Sequence, residues 1–366
     1  MKVVKVRSPF IIEVNEAGAI GSKIELYIYN NGSGVPASPT YTLSKLNPST
    51  TQLNTSYNVS NYVKEYIDNI KPTKIASSPS YEDNNEWVLF KVKRYKLVGT
   101  TYTLLTDVDY VGVNGFTDYT QGVNAITDYF TPGFLSNKLI SKNILKSSSS
   151  LKNYVNYLVD FSSGFRLDII YVKLDQSYSI SQSITGLNGI YNFKIPLTLY
   201  PTDVNFIDGN VLDLNLYNAS NQQIAIDRIY TYINEECKYT PVECTFINRY
   251  GGWEFLTFFK AQTNAVSVKG SEYNLLPDAI DYNIYKGQSK VFNINGTQTV
   301  KLNTGWVDEN YNELITDLLL SETVLLDNKP VKVKTQSHTY KTQLKDKMIN
   351  FELDFEYAFD LINNIV

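Results

Sequence analysis

The chain has 366 residues, 43% hydrophobic and 19% charged, enough apolar material for two or three folded cores and too much for global disorder. Lys and Arg number 33 against 37 Asp and Glu, a net charge of −4, so direct binding to nucleic-acid phosphates is not expected. One His and two Cys leave little for a metal site or an acid–base centre, whereas 29 Tyr suit a β-rich structural or binding protein.

At the N-terminus, charges interrupt each apolar pair of Met1–Phe10, so no export signal is read there. No apolar run is long enough to span a bilayer, and a soluble protein made without export is expected. Strands follow from period-two alternation: Lys23–Tyr29, Trp87–Tyr95, Val211–Tyr217 and, most cleanly, Ile349–Tyr357. Asn31-Gly32, Val113-Asn114-Gly115, Asp208-Gly209-Asn210 and Asn295-Gly296 punctuate them as turns. Three apolar stripes predict helices: Val59, Tyr62, Val63, Tyr66, Ile67 and Ile70; Leu151, Tyr154, Val155 and Leu158; and Tyr311, Leu314, Ile315 and Leu318. Ser147–Ser150 would cap the second, and Asp308 and Glu309 sit near the positive end of the third.

The expected fold is mainly β and multi-domain: β-sandwich-like N-terminal and middle domains followed by a C-terminal α+β section. Residues 1–136 form the first domain, with one helix at about 58–70. The polar segment 137–150 is a linker, 151–240 a second β domain, and 241–366 the α+β domain with a helix at about 308–321. Gly21–Asn30 and Gly209–Asn218 align loosely, a hint of divergent copies of one sandwich.

No motif for catalysis emerges. His338 lies in an alternating polar run and reads as a solvent-facing strand residue rather than a general base. Asp107 and Asp109 alternate along a strand, and Glu235 and Glu236 are adjacent, but nothing in their spacing sets a glycosidase pair across one groove. Cys237 and Cys244 read as small apolar strand residues, with a local bridge or half a metal site as the alternatives. The sequons Asn54-Thr55-Ser56 and Asn58-Val59-Ser60 follow from composition. No catalytic, cofactor-binding or metal-binding residue is assigned. If the protein binds glycans instead, Trp87, Trp253 and Trp306 are the candidate stacking platforms.

Three N-terminal pieces, Arg7–Asn15, Gly21–Asn30 and Pro39–Lys45, resemble the start of virion structural proteins of tailed phages infecting Bacteroidota, including crAss-like phages. Thr245–Phe255, Lys301–Glu309 and Asp354–Asp360 are similar to later parts of the same proteins. The resemblance implies a tail hub, adaptor or baseplate component, made in the host cytoplasm and built into the virion tail as a symmetric ring. Its partners would be copies of itself and other tail or portal-proximal proteins. The alternative is a receptor- or carbohydrate-binding module at the tail tip that recognises a host surface glycan. Ring closure needs one patch complementary to another on the neighbour, and sheet edges and Tyr-rich faces are material for both.

Overall fold

The computed structural model describes residues 2–30, 33–68, 80–82, 87–124, 141–145, 154–161, 165–172, 177–184, 189–196, 210–218, 220–234, 238–276, 280, 283–309, 311–337, 339 and 348–363. It is mainly β, with several sheets, as the alternation predicts. The chain divides into two compact units. One holds Met1–Glu235 with Phe246–Phe255, the other Glu236–Thr245 with Leu256–Val366.

In the first unit, a five-stranded sheet runs in the order Lys2–Lys5, Thr101–Val113, Trp87–Val98, Gly21–Tyr29 and Tyr41–Leu46. The first pair is parallel and the rest antiparallel. Ile24, Leu26 and Ile28 alternate with Lys23, Glu25 and Tyr27, so one pleat face is apolar. That face is buried together with the two-stranded ribbon Ile11–Asn15/Asn54–Asn58 and the helix Ser60–Lys64. At its centre the Phe90 ring stacks on Tyr110 at 5.1 Å and meets Phe10 edge-on at 6.3 Å. The helix comes so close to the sheet that a Cβ on Gly112 would lie 2.6 Å from Val63 Cγ1.

This helix is shorter than its stripe. Val59, Val63 and Ile67 are buried as their spacing requires. After Lys64, however, the backbone tightens into bonds spanning three residues, Tyr66 N–H to Val63 O and Ile67 N–H to Lys64 O. Of the second expected helix, Leu151 and the capping residues Ser147–Ser150 lie outside the described residues, and Tyr154, Val155 and Leu158 fall in a strand. Residues 154–161 form the strand Tyr154–Phe161, antiparallel to Gly189–Pro196. Tyr154, Val155 and Leu158 fit a helical stripe, but Val155, Tyr157, Val159 and Phe161 fit a period of two equally well, and pairing across the chain decides between them. Within the segment expected as a linker, Ser141–Leu145 is a strand parallel to Gln223–Asn234. It edges a second five-stranded sheet with Ser177–Ile184, Phe165–Val172 and Asn210–Asn218.

The second unit carries most of a seven-stranded sheet, in the order Trp253–Phe258, Val242–Ile247, Val324–Leu326, Lys329–Val333, Met348–Asp360, Ser289–Asp308 and Thr263–Asn274. The boundary between the units falls inside the first two of these strands. Ile349, Phe351, Leu353 and Phe355 are buried, and Glu352 and Asp354 between them are exposed. The expected third helix is Tyr311–Leu319, and its stripe of Tyr311, Leu314, Ile315 and Leu318 is buried. A two-residue turn, Asp327-Asn328, joins Val324–Leu326 to Lys329–Val333 with φ of 44° and 70°. Asp and Asn tolerate that left-handed backbone, which the twist of a hairpin favours.

Candidate functional site

Among the described residues, a cluster of charged and aromatic side chains lies on the outer face of the N-terminal sheet, opposite the apolar one. Pairing sets Lys23 beside Tyr95, lines up Glu25, Lys93 and Asp107 across three strands, and lines up Tyr27, Lys91 and Asp109 in the next such row. Because the period is two, all of these point to one side.

The Glu25 carboxylate accepts from Lys23 Nζ at 2.7 Å, Tyr95 OH at 2.7 Å and Tyr27 OH at 3.0 Å. Burial pushes its pKa up, but the hydrogen bonds from Lys23, Tyr95 and Tyr27 together outweigh burial and hold it below the ordinary value. Burial, then the hydrogen bond to Glu25, pushes Tyr27 and Tyr95 up. Lys91 bridges Asp107 at 3.0 Å and Asp109 at 3.4 Å, and the bond to Asp107 raises its pKa despite desolvation. The Lys23 ammonium sits 4.3 Å from the Tyr95 ring centroid and 4.9 Å from that of Tyr102, and Lys93 sits 4.8 Å from Tyr27.

Three lysines and three carboxylates thus interleave with tyrosines on one neutral face. Glu25 stays ionised at neutral pH and already accepts three bonds, so it is poorly placed to donate a proton as a general acid. Tyr27 is buried and Tyr29 and Tyr95 are half-buried, so the face presents mainly the Tyr102 ring and the charged tips around it, material for an interface rather than a flat stacking platform. Farther along the same face, Trp87, Leu89, Val111, Val113 and Val3 form an apolar cluster against which Tyr29 and Tyr250 pack.

Two other polar clusters are bonded within the chain. A cleft of about 270 Å³ beside Phe10 and Tyr110 is lined by Arg94 and Asn124. Arg94 donates to Glu13 O and Thr106 Oγ1, while Asn124 pairs with both backbone groups of Ile11. In the middle sheet, Asp213 and Asn215 are buried. Arg228 donates to both oxygens of Asp213, at 2.6 and 2.7 Å, and Gln223 donates to Asn215 at 2.9 Å. These two polar positions, which the alternation sets opposite the leucines, are therefore held inside by paired partners.

Of the residues weighed from the sequence, Asp107 and Asp109 are brought together by Lys91. Cys244 is buried in Val242–Ile247. Cys237, Glu235, Glu236 and His338 lie outside the described residues. Trp87 and Trp253 are buried at 3% and 2% exposure, which removes them as stacking platforms, whereas Trp306 is 61% exposed. Sequence reasoning missed the lysine–tyrosine–carboxylate lattice. Its signal was present as charge on alternate residues of three strands, but which strands pair, and in what register, was not. Among the described residues, no group of three His, Cys, Asp or Glu side chains is placed to hold a metal ion, and no helix is long and apolar enough to cross a membrane.

No family model matches the chain, and no curated protein does. Among solved structures it is similar to the exo-β-D-glucosaminidase CsxA, at 12% identity and a TM-score of 0.19, over 56% of this chain and 22% of that one. It is likewise similar to the Amycolatopsis orientalis exo-chitosanase CsxA, at 11% identity and a TM-score of 0.19, over 57% of this chain and 23% of that one. The chain thus spans under a quarter of either enzyme, and likeness at this level carries no argument about activity.

Proposed function

We propose that the chain is a non-enzymatic structural protein of a tailed-phage virion, a tail hub, adaptor or baseplate component. Copies of it assemble into a ring through β-rich, Tyr-rich faces. The observation that carries this reading is the outer face of the N-terminal sheet: it is aromatic, its charges are matched internally, and its best-placed carboxylate is held ionised by three donors. Such a face suits lasting contact with a protein of similar neutrality. The resemblance of the N- and C-terminal segments to phage virion proteins supplies the setting, the tail of a particle assembled in the host cytoplasm. Mass spectrometry of purified particles of the encoding phage, with cryo-electron microscopy of their tails, tests it. The expected result is a fixed, ring-like copy number, and absence from the particle refutes the proposal.

A second reading, a glycan-binding module at the tail tip, is favoured by the exposure of Trp306 alone. Replacing Trp306 by Ala separates the two readings. Loss of host adsorption with normal assembly supports glycan binding, and normal adsorption removes it.

A further inference from the structure

The cleft beside Phe10 and Tyr110 opens on the inner face of the N-terminal sheet. Pairing of Trp87–Val98 with Thr101–Val113 sets Phe90 beside Tyr110, Val92 beside Val108 and Arg94 beside Thr106. The rows are two residues apart along each strand, so these side chains share the apolar face. Phe10, Ile11, Ile12 and Glu13, with Asn124, complete the lining. The result is an apolar cleft with one cation in its wall.

That cation is held in place but not neutralised. Arg94 Nε donates to Thr106 Oγ1 at 2.6 Å, and Nη1 donates to Glu13 O at 3.0 Å. Both acceptors are uncharged. The remaining N–H groups of the guanidinium have no partner among the described residues, and no carboxylate among them pairs with it. The Tyr110 hydroxyl likewise makes no hydrogen bond among the described residues, although its ring is fixed by Phe90 at 5.1 Å and Phe10 at 5.2 Å. Burial raises the Tyr110 pKa and the Arg94 charge opposes the rise, so the hydroxyl lies within the field of the guanidinium and remains a donor at neutral pH. Asn124 has no such capacity left, because both ends of its amide bond the backbone of Ile11.

We propose that this cleft binds a small monocarboxylate with an aromatic or branched aliphatic body. The carboxylate accepts from Arg94 and from the Tyr110 hydroxyl, and the body lies against Phe10, Ile11 and Val108. A few fixed polar groups over an apolar lining are the usual make-up of a small-molecule site. Water can also meet the free N–H groups, but a carboxylate makes charge-assisted bonds to them while its body displaces water from the apolar walls. The bonds to Thr106 and Glu13 O fix the guanidinium beforehand, which lowers the ordering cost of binding. Size sets an upper limit. An apolar cavity of about 150 Å³ holds benzene. At about 270 Å³, the cleft has room for one ring with a short acidic arm. Charge sets another limit. The Glu13 carboxylate lines the same cleft and is exposed, so a dianion such as a phosphate ester meets repulsion that a monoanion meets less. The site stands on the cleft alone, and its failure would leave the virion reading untouched.

The test is a calorimetric titration of the full chain with phenylacetate and, in parallel, with its neutral amide, phenylacetamide. Phenylacetate should bind at one site with a dissociation constant below about 1 mM, and the amide at least about 10-fold more weakly. Tyr110→Phe keeps the ring and its packing, and should weaken phenylacetate binding about 3-fold. Arg94→Gln, checked for folding by circular dichroism, should bind acid and amide alike. That loss of discrimination separates direct contact from a merely structural role. Should Arg94→Gln not fold, the acid–amide comparison and Tyr110→Phe still decide. No binding at about 5 mM phenylacetate, equal affinity of wild type for acid and amide, an unchanged affinity in Tyr110→Phe, or full discrimination in folded Arg94→Gln would each overturn the proposal.

Discussion

Replacing Gly115 by Ala tests how residues 246–255 join the N-terminal unit. A Cβ at Gly115 would lie 2.5 Å from Arg249 O, 2.9 Å from Tyr250 C and 3.2 Å from Gly251 N, all of them backbone atoms, so no rotamer change relieves the clash. The loop opposite is held tightly. Asn248 Oδ1 accepts from Tyr250 N–H at 3.0 Å and Gly252 N–H at 3.1 Å, and Phe116 N–H donates to Arg249 O at 2.9 Å. Making room means moving the two backbones apart and losing that last bond. Overpacking costs about 1–3 kcal/mol and a stranded backbone donor a further ~1–3 kcal/mol, so a loss of about 2–6 kcal/mol is expected. With a urea slope of about 3 kcal/mol per molar, the midpoint falls by roughly 1 M. Tryptophan fluorescence is the right probe, because buried Trp87 and Trp253 both belong to this unit whereas Trp306 is exposed in the other. Gly99→Ala is the control: its φ of 59° brings backbone strain of about 1–2 kcal/mol, but nothing lies within 4 Å of the added carbon. If the two variants unfold at the same midpoint, the close approach of Gly115 to Arg249 is refuted.

Phe90→Ala should cost about 3–5 kcal/mol, since the ring is fully buried against Phe10 and Tyr110; a thermal-unfolding loss under ~1 kcal/mol would contradict the packing. Glu25, with its folded-state pKa below the ordinary 4.5, adds stability that is fully present above that value and is lost as pH falls through the lower folded value. Wild type should therefore lose stability more steeply than Glu25→Gln between about pH 5 and 3, and parallel acid limbs would show that the three donors do not favour the carboxylate. Trp306→Ala should leave the unfolding midpoint within ~0.5 kcal/mol of wild type, as expected of an exposed side chain; a larger loss would mean that the indole is packed.

Where one face of an element meets a core and the other meets water, the sequence is easy to read. Ile349, Phe351, Leu353 and Phe355 alternate with Asn350, Glu352 and Asp354, and Tyr311, Leu314, Ile315 and Leu318 recur at helical spacing; both patterns become buried stripes. The pattern fails where two periods fit the same residues, as in Tyr154–Phe161, whose strand identity comes from pairing with Gly189–Pro196. It also fails to rank tryptophans, because burial depends on what packs over each one. Trp87 lies within an apolar cluster that includes Val3 and Val113, distant in sequence, and neither its own neighbours nor its alternation distinguishes it from Trp306.

Composition and alternation alone determined that this is a β-rich protein, short of the His and Cys that most metal and acid–base chemistry uses, because those properties are local or additive along the chain. Tertiary structure decided which lysine meets which carboxylate on the outer sheet, how closely Gly115 approaches Arg249, and that Val266 and Val268 stand uncovered on an edge. Each of these depends on register between strands far apart in sequence. A shift of one residue turns every side chain of a strand to its other face, and no local pattern reports which strand will lie alongside.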